Sequence, residues 1–219
     1  MPSTPPQLTM TICPKIPHSS LDIFGKNRQE LTTKLRPLDV IGWDVRTYGE
    51  HLVTFSKQNK TINGVTELTV HGVINAAGQE IISGAMEHFS IVAPDTTKDT
   101  DVIPIMSIER SLVETVSQYC QALINLGVHG SLLVGFAVIN LRKSILFVGA
   151  RASSLHSRVY EGNKIVPPPV EIPEGMDFQN LQLVAKALRP AFDFIWREYN
   201  YPRSLDYGAT GEWGGPPGM

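Results

Sequence analysis

Ser131-Leu132-Leu133-Val134-Gly135-Phe136-Ala137-Val138-Ile139-Asn140-Leu141-Arg142-Lys143-Ser144-Ile145-Leu146-Phe147-Val148, followed by Gly149-Ala150-Arg151-Ala152-Ser153-Ser154-Leu155-His156-Ser157-Arg158-Val159-Tyr160, is the stretch from which the fold is read. Leu132 to Ile139 is apolar on both faces of an extended chain, the pattern of a central strand in a covered sheet. Ser144 to Val148 reads as a second strand. At Gly149 the composition switches to a basic, hydroxyl-rich loop, and that switch marks the candidate functional surface.

Upstream, Ile105, Ile108, Leu112, Val116, Tyr119, Leu123 and Leu126 recur at three- and four-residue spacing. They form one stripe of a helix that Gly127 ends. Earlier still, Val40 to Tyr48 and His51 to Phe55 are β-rich and joined through Gly49-Glu50, a hairpin pattern. Asn63-Gly64 reads as a turn before a strand from Thr66 to Ile74, and Ala77-Gly78 as a turn before a strand around Met86 to Val92. Downstream, Val166-Pro167-Pro168-Pro169-Val170-Glu171-Ile172-Pro173 is an extended connector. A second helix then follows Asp177 as N-cap, with Leu181, Val184, Leu188, Phe192, Ile195 and Trp196 facing the core and Pro190 kinking or restarting it.

The expected organisation is an extended, proline-rich arm over residues 1–36, loosely held and ending in a short helix near Arg28 to Leu35, then a single domain over 37–199. A glycine- and proline-rich tail over 200–219 has Tyr201, Tyr207 and Trp213 to dock it. Strands, helix, strands, helix in that order specify an α+β fold: a mainly antiparallel sheet with two long helices packed on one face.

Composition narrows the functional classes. The 219 residues are 42% hydrophobic, ample for a packed core without metal or disulfide staples. Nineteen Lys and Arg against 21 Asp and Glu leave a net charge of -2, so any anion site is local and not a property of the whole surface. Cys13 and Cys120 have no metal-like spacing and fit a reducing compartment. With no signal-peptide pattern and no long apolar run, the expectation is a cytoplasmic protein that neither spans nor binds a membrane.

Between Arg142 and Lys164 five basic residues stand against one acid, Glu161. Guanidinium forks and hydroxyls gathered at a strand end suit phosphate or carboxylate, because they donate several directed hydrogen bonds. The expected anion-binding residues are therefore Arg142, Lys143, Arg151, Ser153, Ser154, His156 and Arg158. The competing structural reading is a solvated loop whose serines and arginines bond nearby carbonyls.

His156 beside Ser153, Ser154 or Ser157 suggests a hydrolase, but no Gly-x-Ser-x-Gly elbow accompanies it. Asp95, Asp99 and Asp101 lie in a polar segment that reads as a loop and lacks a calcium-loop pattern. His71 and His88 lack the further ligand that zinc requires. Gly127-Val128-His129-Gly130 follows a helix and precedes a strand, the reverse of a phosphate loop. Trp43, Tyr48, Phe55 and Tyr160 suit either base stacking or ordinary core packing.

Gly149-Ala150-Arg151-Ala152-Ser153-Ser154-Leu155-His156-Ser157-Arg158, Leu188-Arg189-Pro190-Ala191-Phe192-Asp193-Phe194-Ile195-Trp196, Tyr201-Pro202-Arg203-Ser204 and Gly211-Glu212-Trp213 together resemble the C-terminal region of bacterial Schlafen/AlbA-like ATP-binding or DNA-binding proteins, over roughly residues 105–213. In that family an N-terminal module carries the nucleotide or nucleic-acid binding, and residues 1–36 are too short to contain it. The resemblance thus implies an accessory domain and carries over no catalytic or nucleotide-binding residue. The combined expectation is a non-enzymatic binding or regulatory module without cofactor or metal. Its partner would be nucleic acid, a nucleotide phosphate or an acidic protein patch. A hydrolase using His156 and an assembly protein using a strand edge or helix face are the alternatives.

Overall fold

The computed structural model describes residues 6–18, 20–25, 28–38, 42–58, 61–79, 100–148, 158–208 and 210–214. In chain order the elements are β1 (Gln7–Pro14), α1 (Arg28–Lys34), β2 (Asp44–Tyr48), β3 (His51–Gln58), β4 (Thr61–Thr69), β5 (Ile74–Gly78), β6 (Thr100–Ile103), α2 (Ile105–Asn125), β7 (Leu132–Ile139), β8 (Lys143–Leu146), β9 (Lys164–Ile165), β10 (Val170–Ile172) and α3 (Leu181–Glu198). The main sheet runs β10-β7-β1-β5-β4-β3-β2 and is antiparallel throughout, with β9 on β7 beyond β10. β6 and β8 form a separate parallel pair.

Both long helices lie on one face of this sheet, as the alternation along the strands requires. Leu8, Met10 and Ile12 of β1, Leu68 of β4, Ile74 of β5 and Phe136 of β7 point inward with Val116 and Leu123 of α2 and Leu188 and Phe192 of α3 in one buried cluster. The Phe136 and Phe192 rings, 5.8 Å apart, set α3 on β7. The Tyr119 hydroxyl sets α2 on β4: it donates to the Arg36 carbonyl at 2.6 Å and so accepts from Thr66 Oγ1 at 2.7 Å. The fold is α+β, with a mainly antiparallel sheet and its two long helices packed together on the inner face.

Several local features differ from the sequence reading for identifiable reasons. The stretch read as a loosely held arm contributes β1, hydrogen-bonded between β5 and β7. Prolines at 2, 5, 6, 14 and 17 mask a period of two in which buried Leu8, Met10 and Ile12 alternate with Thr9, Thr11 and Cys13. Asn63-Gly64 is no turn: Ser56 pairs with Gly64 and Lys57 with Ile62, so Asn63 is the extra residue of a bulge inside β4. The segment read as one strand from Thr66 to Ile74 is split by a turn at Gly72, where φ is +78° and an added Cβ would meet Leu21 and Pro14 at 3.2 Å.

Gly78 stays in the sheet opposite Leu8, and its missing side chain admits Leu38, whose Cβ would stand 3.0 Å from a new methyl. The N-cap of α3 is Asn180, which accepts the Gln182 N–H at 3.1 Å, whereas Asp177 caps the preceding turn through the Gln179 N–H at 3.0 Å. α3 runs on through Pro190. The strand expected around Met86 to Val92, with His88, lies outside the described residues.

Candidate anion-binding surface

The basic surface is built on β8 and the segment that returns to it. Ser144 and Tyr160 exchange two backbone hydrogen bonds, 2.9 and 2.8 Å, closing a bridge at the base of the intervening chain. Tyr199, at the C-cap of α3, holds this base from beneath. Its hydroxyl pairs with Ser144 Oγ at 2.8 Å, its carbonyl accepts the Arg158 N–H at 3.1 Å, and its ring lies 5.7 Å from that of Tyr160. Burial pushes the Tyr199 phenol well above its ordinary range, so it acts as a neutral hydrogen-bonding post.

Arg142, Lys143 and Arg158 are exposed on this frame. Arg142 is held from behind by Asp101 of β6. The carboxylate accepts the Arg142 backbone N–H at 2.7 Å, and the guanidinium Nε and Nη2 at 3.2 and 2.8 Å. Asp101 is completely buried while the arginine side chain remains 47% exposed, so this ion pair neutralises part of the charge and fixes the guanidinium at the rim. Asp101, read from the sequence as part of a polar loop, is thus a buried strand residue.

Lys143 reaches across the bridge to Glu161 at 3.7 Å, an exposed pair of little energetic weight. Lys164 of β9 is also exposed, and its carbonyl accepts the Tyr160 hydroxyl at 2.7 Å.

Arg142 precedes Ser144 by two positions and Arg158 precedes Tyr160 by two, so antiparallel strands put them on opposite sides of the bridge. Arg142 and Lys143 therefore stand together with Lys164 nearer one end, and Arg158 stands at the other. Arg151, Ser153, Ser154 and His156 lie outside the described residues. Among the described residues no group of three or more His, Cys, Asp or Glu side chains is arranged to hold a metal ion.

Leu188 to Trp196 and Tyr201 to Ser204 meet at a second junction, which sequence reading did not single out as a site. Glu109 of α2 is fully buried and accepts hydrogen bonds from Trp196 Nε1 of α3 and, at 2.8 Å, from Ser204 Oγ. Asp193 accepts the Ser204 N–H at 2.8 Å, and the Trp196 and Tyr201 rings meet edge to face at 5.1 Å. An acidic residue inside the apolar stripe of α2 was the available signal. Comparison with family models, with curated proteins and with solved structures gives no match.

Proposed function

We propose that this chain is a non-enzymatic binding module whose contact surface is the rim bearing Arg142, Lys143 and Arg158, and whose ligand is an extended polyanion, foremost the phosphate backbone of nucleic acid. The observation that supports this reading is the pinned stem, in which Ser144, Tyr160 and Tyr199 hold two chain segments together so that cationic side chains leave from both. Cations that leave the chain on both sides of one bridge suit a ligand with several phosphates in a row. Arg151, Ser153, Ser154 and His156, which fall between Arg142 and Arg158 in sequence, are assigned to the same proposed surface.

Fluorescence anisotropy with a labelled single-stranded oligonucleotide tests the reading. Arg151→Ala combined with Arg158→Ala should weaken binding about tenfold or more and lower the salt slope by roughly 1.4, two contacts at 0.7 each. Unchanged affinity and slope, in a variant with unchanged melting, would reject it. Arg142 is left intact in this test because it holds Asp101.

A second reading, assembly through a strand edge, is favoured by β2. All five of its residues are exposed, and among the described residues β3 is its one strand neighbour. A two-fold axis through Val45 would bring Asp44 opposite Arg46 of a second copy, an attractive cross-strand pair. Sedimentation velocity over a concentration series checks it. Thr47→Pro should dissociate any dimer of this kind, since proline blocks edge pairing.

A further inference from the structure

Residues 204–208 and 210–214 lie along α3 as a strap with fastenings at both ends. Gln182 grips one end, accepting the Trp213 N–H at 2.9 Å and donating to the Trp213 carbonyl at 2.5 Å. In the middle, the Tyr207 hydroxyl donates to the Ala185 carbonyl at 2.5 Å, and the Arg189 guanidinium lies 5.0 Å from the centre of the Tyr207 ring. The strap is tied internally by the Gly208 N–H to the Glu212 carbonyl and the Gly214 N–H to the Asp206 carbonyl, both 2.8 Å. Its other end is the Ser204 fastening on Glu109, where Ser204 Oγ also accepts the Asp206 N–H at 3.2 Å.

That last fastening is unusual in charge. Glu109 is sealed from water and faces acids on both neighbouring elements, Asp193 from α3 and Asp206 from the strap, with Tyr207 also close. Arg189 brings a cation to this junction, 3.5 Å from Asp193. Burial, reinforced by Asp206 and Asp193, pushes the Glu109 carboxyl up to about 8 against the opposing pull of the Trp196 and Ser204 hydrogen bonds. Both carboxyl oxygens accept, one from Trp196 Nε1 and the other from the Ser204 hydroxyl, whose Oγ in turn accepts the Asp206 N–H and so ties the carboxyl to the strap.

We propose that the strap is a proton-controlled latch, docked while Glu109 holds its proton and released as Glu109 gives the proton up. Release that opens Glu109 to water returns its carboxyl towards the ordinary 4.5, whereas the docked state holds it up at about 8. The docked state therefore binds more protons throughout that interval. Docking is strongest below the lower value, weakens by up to tenfold per pH unit between the two, and levels off above the upper one.

Hydrogen exchange of the Ser204, Gly208, Trp213 and Gly214 amides, corrected for intrinsic rates, reads the latch directly. Protection in the wild-type chain should fall at least tenfold between pH 5.5 and pH 8. Glu109→Gln, which keeps a neutral acceptor and donor in the same place, should hold protection within about twofold over the same range. A flat wild-type profile, or a Glu109→Gln profile that follows the wild type, would overturn the proposal. A carbon-13 NMR titration of the wild-type Glu109 carboxyl supplies a second measurement that needs no variant: a midpoint above 7 supports the latch, and one near 4.5 sinks it.

Discussion

Asp101 and Arg142 show how one residue can look expendable in sequence and be fastened in space. The two are 41 positions apart, and the buried carboxylate satisfies both the backbone N–H and the guanidinium of its partner. Asp101→Ala removes all three interactions and leaves the Arg142 N–H without its acceptor, so it should cost about 2–4 kcal/mol in urea unfolding. The guanidinium, half in water, can rehydrate, which keeps the figure below that of a fully enclosed pair. Lys143→Ala, which breaks an exposed contact, should cost less than about 0.5 kcal/mol. The cysteines provide a chemical contrast. Cys120 is sealed in the core and burial pushes its thiol far above the ordinary range, whereas Cys13 is half-buried on the outer face of β1. Thiol titration of the native protein should find Cys13 reactive and Cys120 silent until denaturant is added. The basic character of residues 142–164 was readable from composition alone. The partners were not, because an ion pair across so long a stretch leaves no periodic trace.

At the scale of elements, the helices were the most readable part of the chain. Seven apolar residues at helical spacing place α2 from Ile105 onward, and the observed helix ends at Asn125, just before Gly127 at φ +86°. The boundary of α3 was less readable, since Asp177 and Asn180 are both competent caps and only the hydrogen bond to Gln182 distinguishes them. Asn180→Ala should therefore lower stability by about 1 kcal/mol in thermal or chemical unfolding. The strands were harder. Asn63-Gly64 has the chemistry of a tight turn, yet the register of β3 against β4 absorbs it as a bulge. Gly78 has the chemistry of a loop, yet it is a strand residue beneath Leu38. A glycine states that the backbone needs room, and only the neighbouring element shows what fills it.

At the scale of the whole molecule, β1 joins the two halves of the sheet, with β5 on one side and β7 on the other. Removing residues 1–14 should therefore abolish cooperative unfolding followed by circular dichroism, where loss of a loosely held arm would leave it unchanged. Local patterning was enough to determine the class of fold, the two long helices, the strand from Leu132 to Ile139 and the concentration of positive charge that follows it. These depend on periodicity and composition, which are properties of neighbouring residues. The tertiary structure alone decided that the N-terminal stretch lies between β5 and β7, that Asp101 holds Arg142, and that Glu109 joins α2, α3 and the strap. Each of those contacts closes a long loop of chain, and which distant groups meet at the end of such a loop is set by the packing of the assembled core, not by the residues on either side.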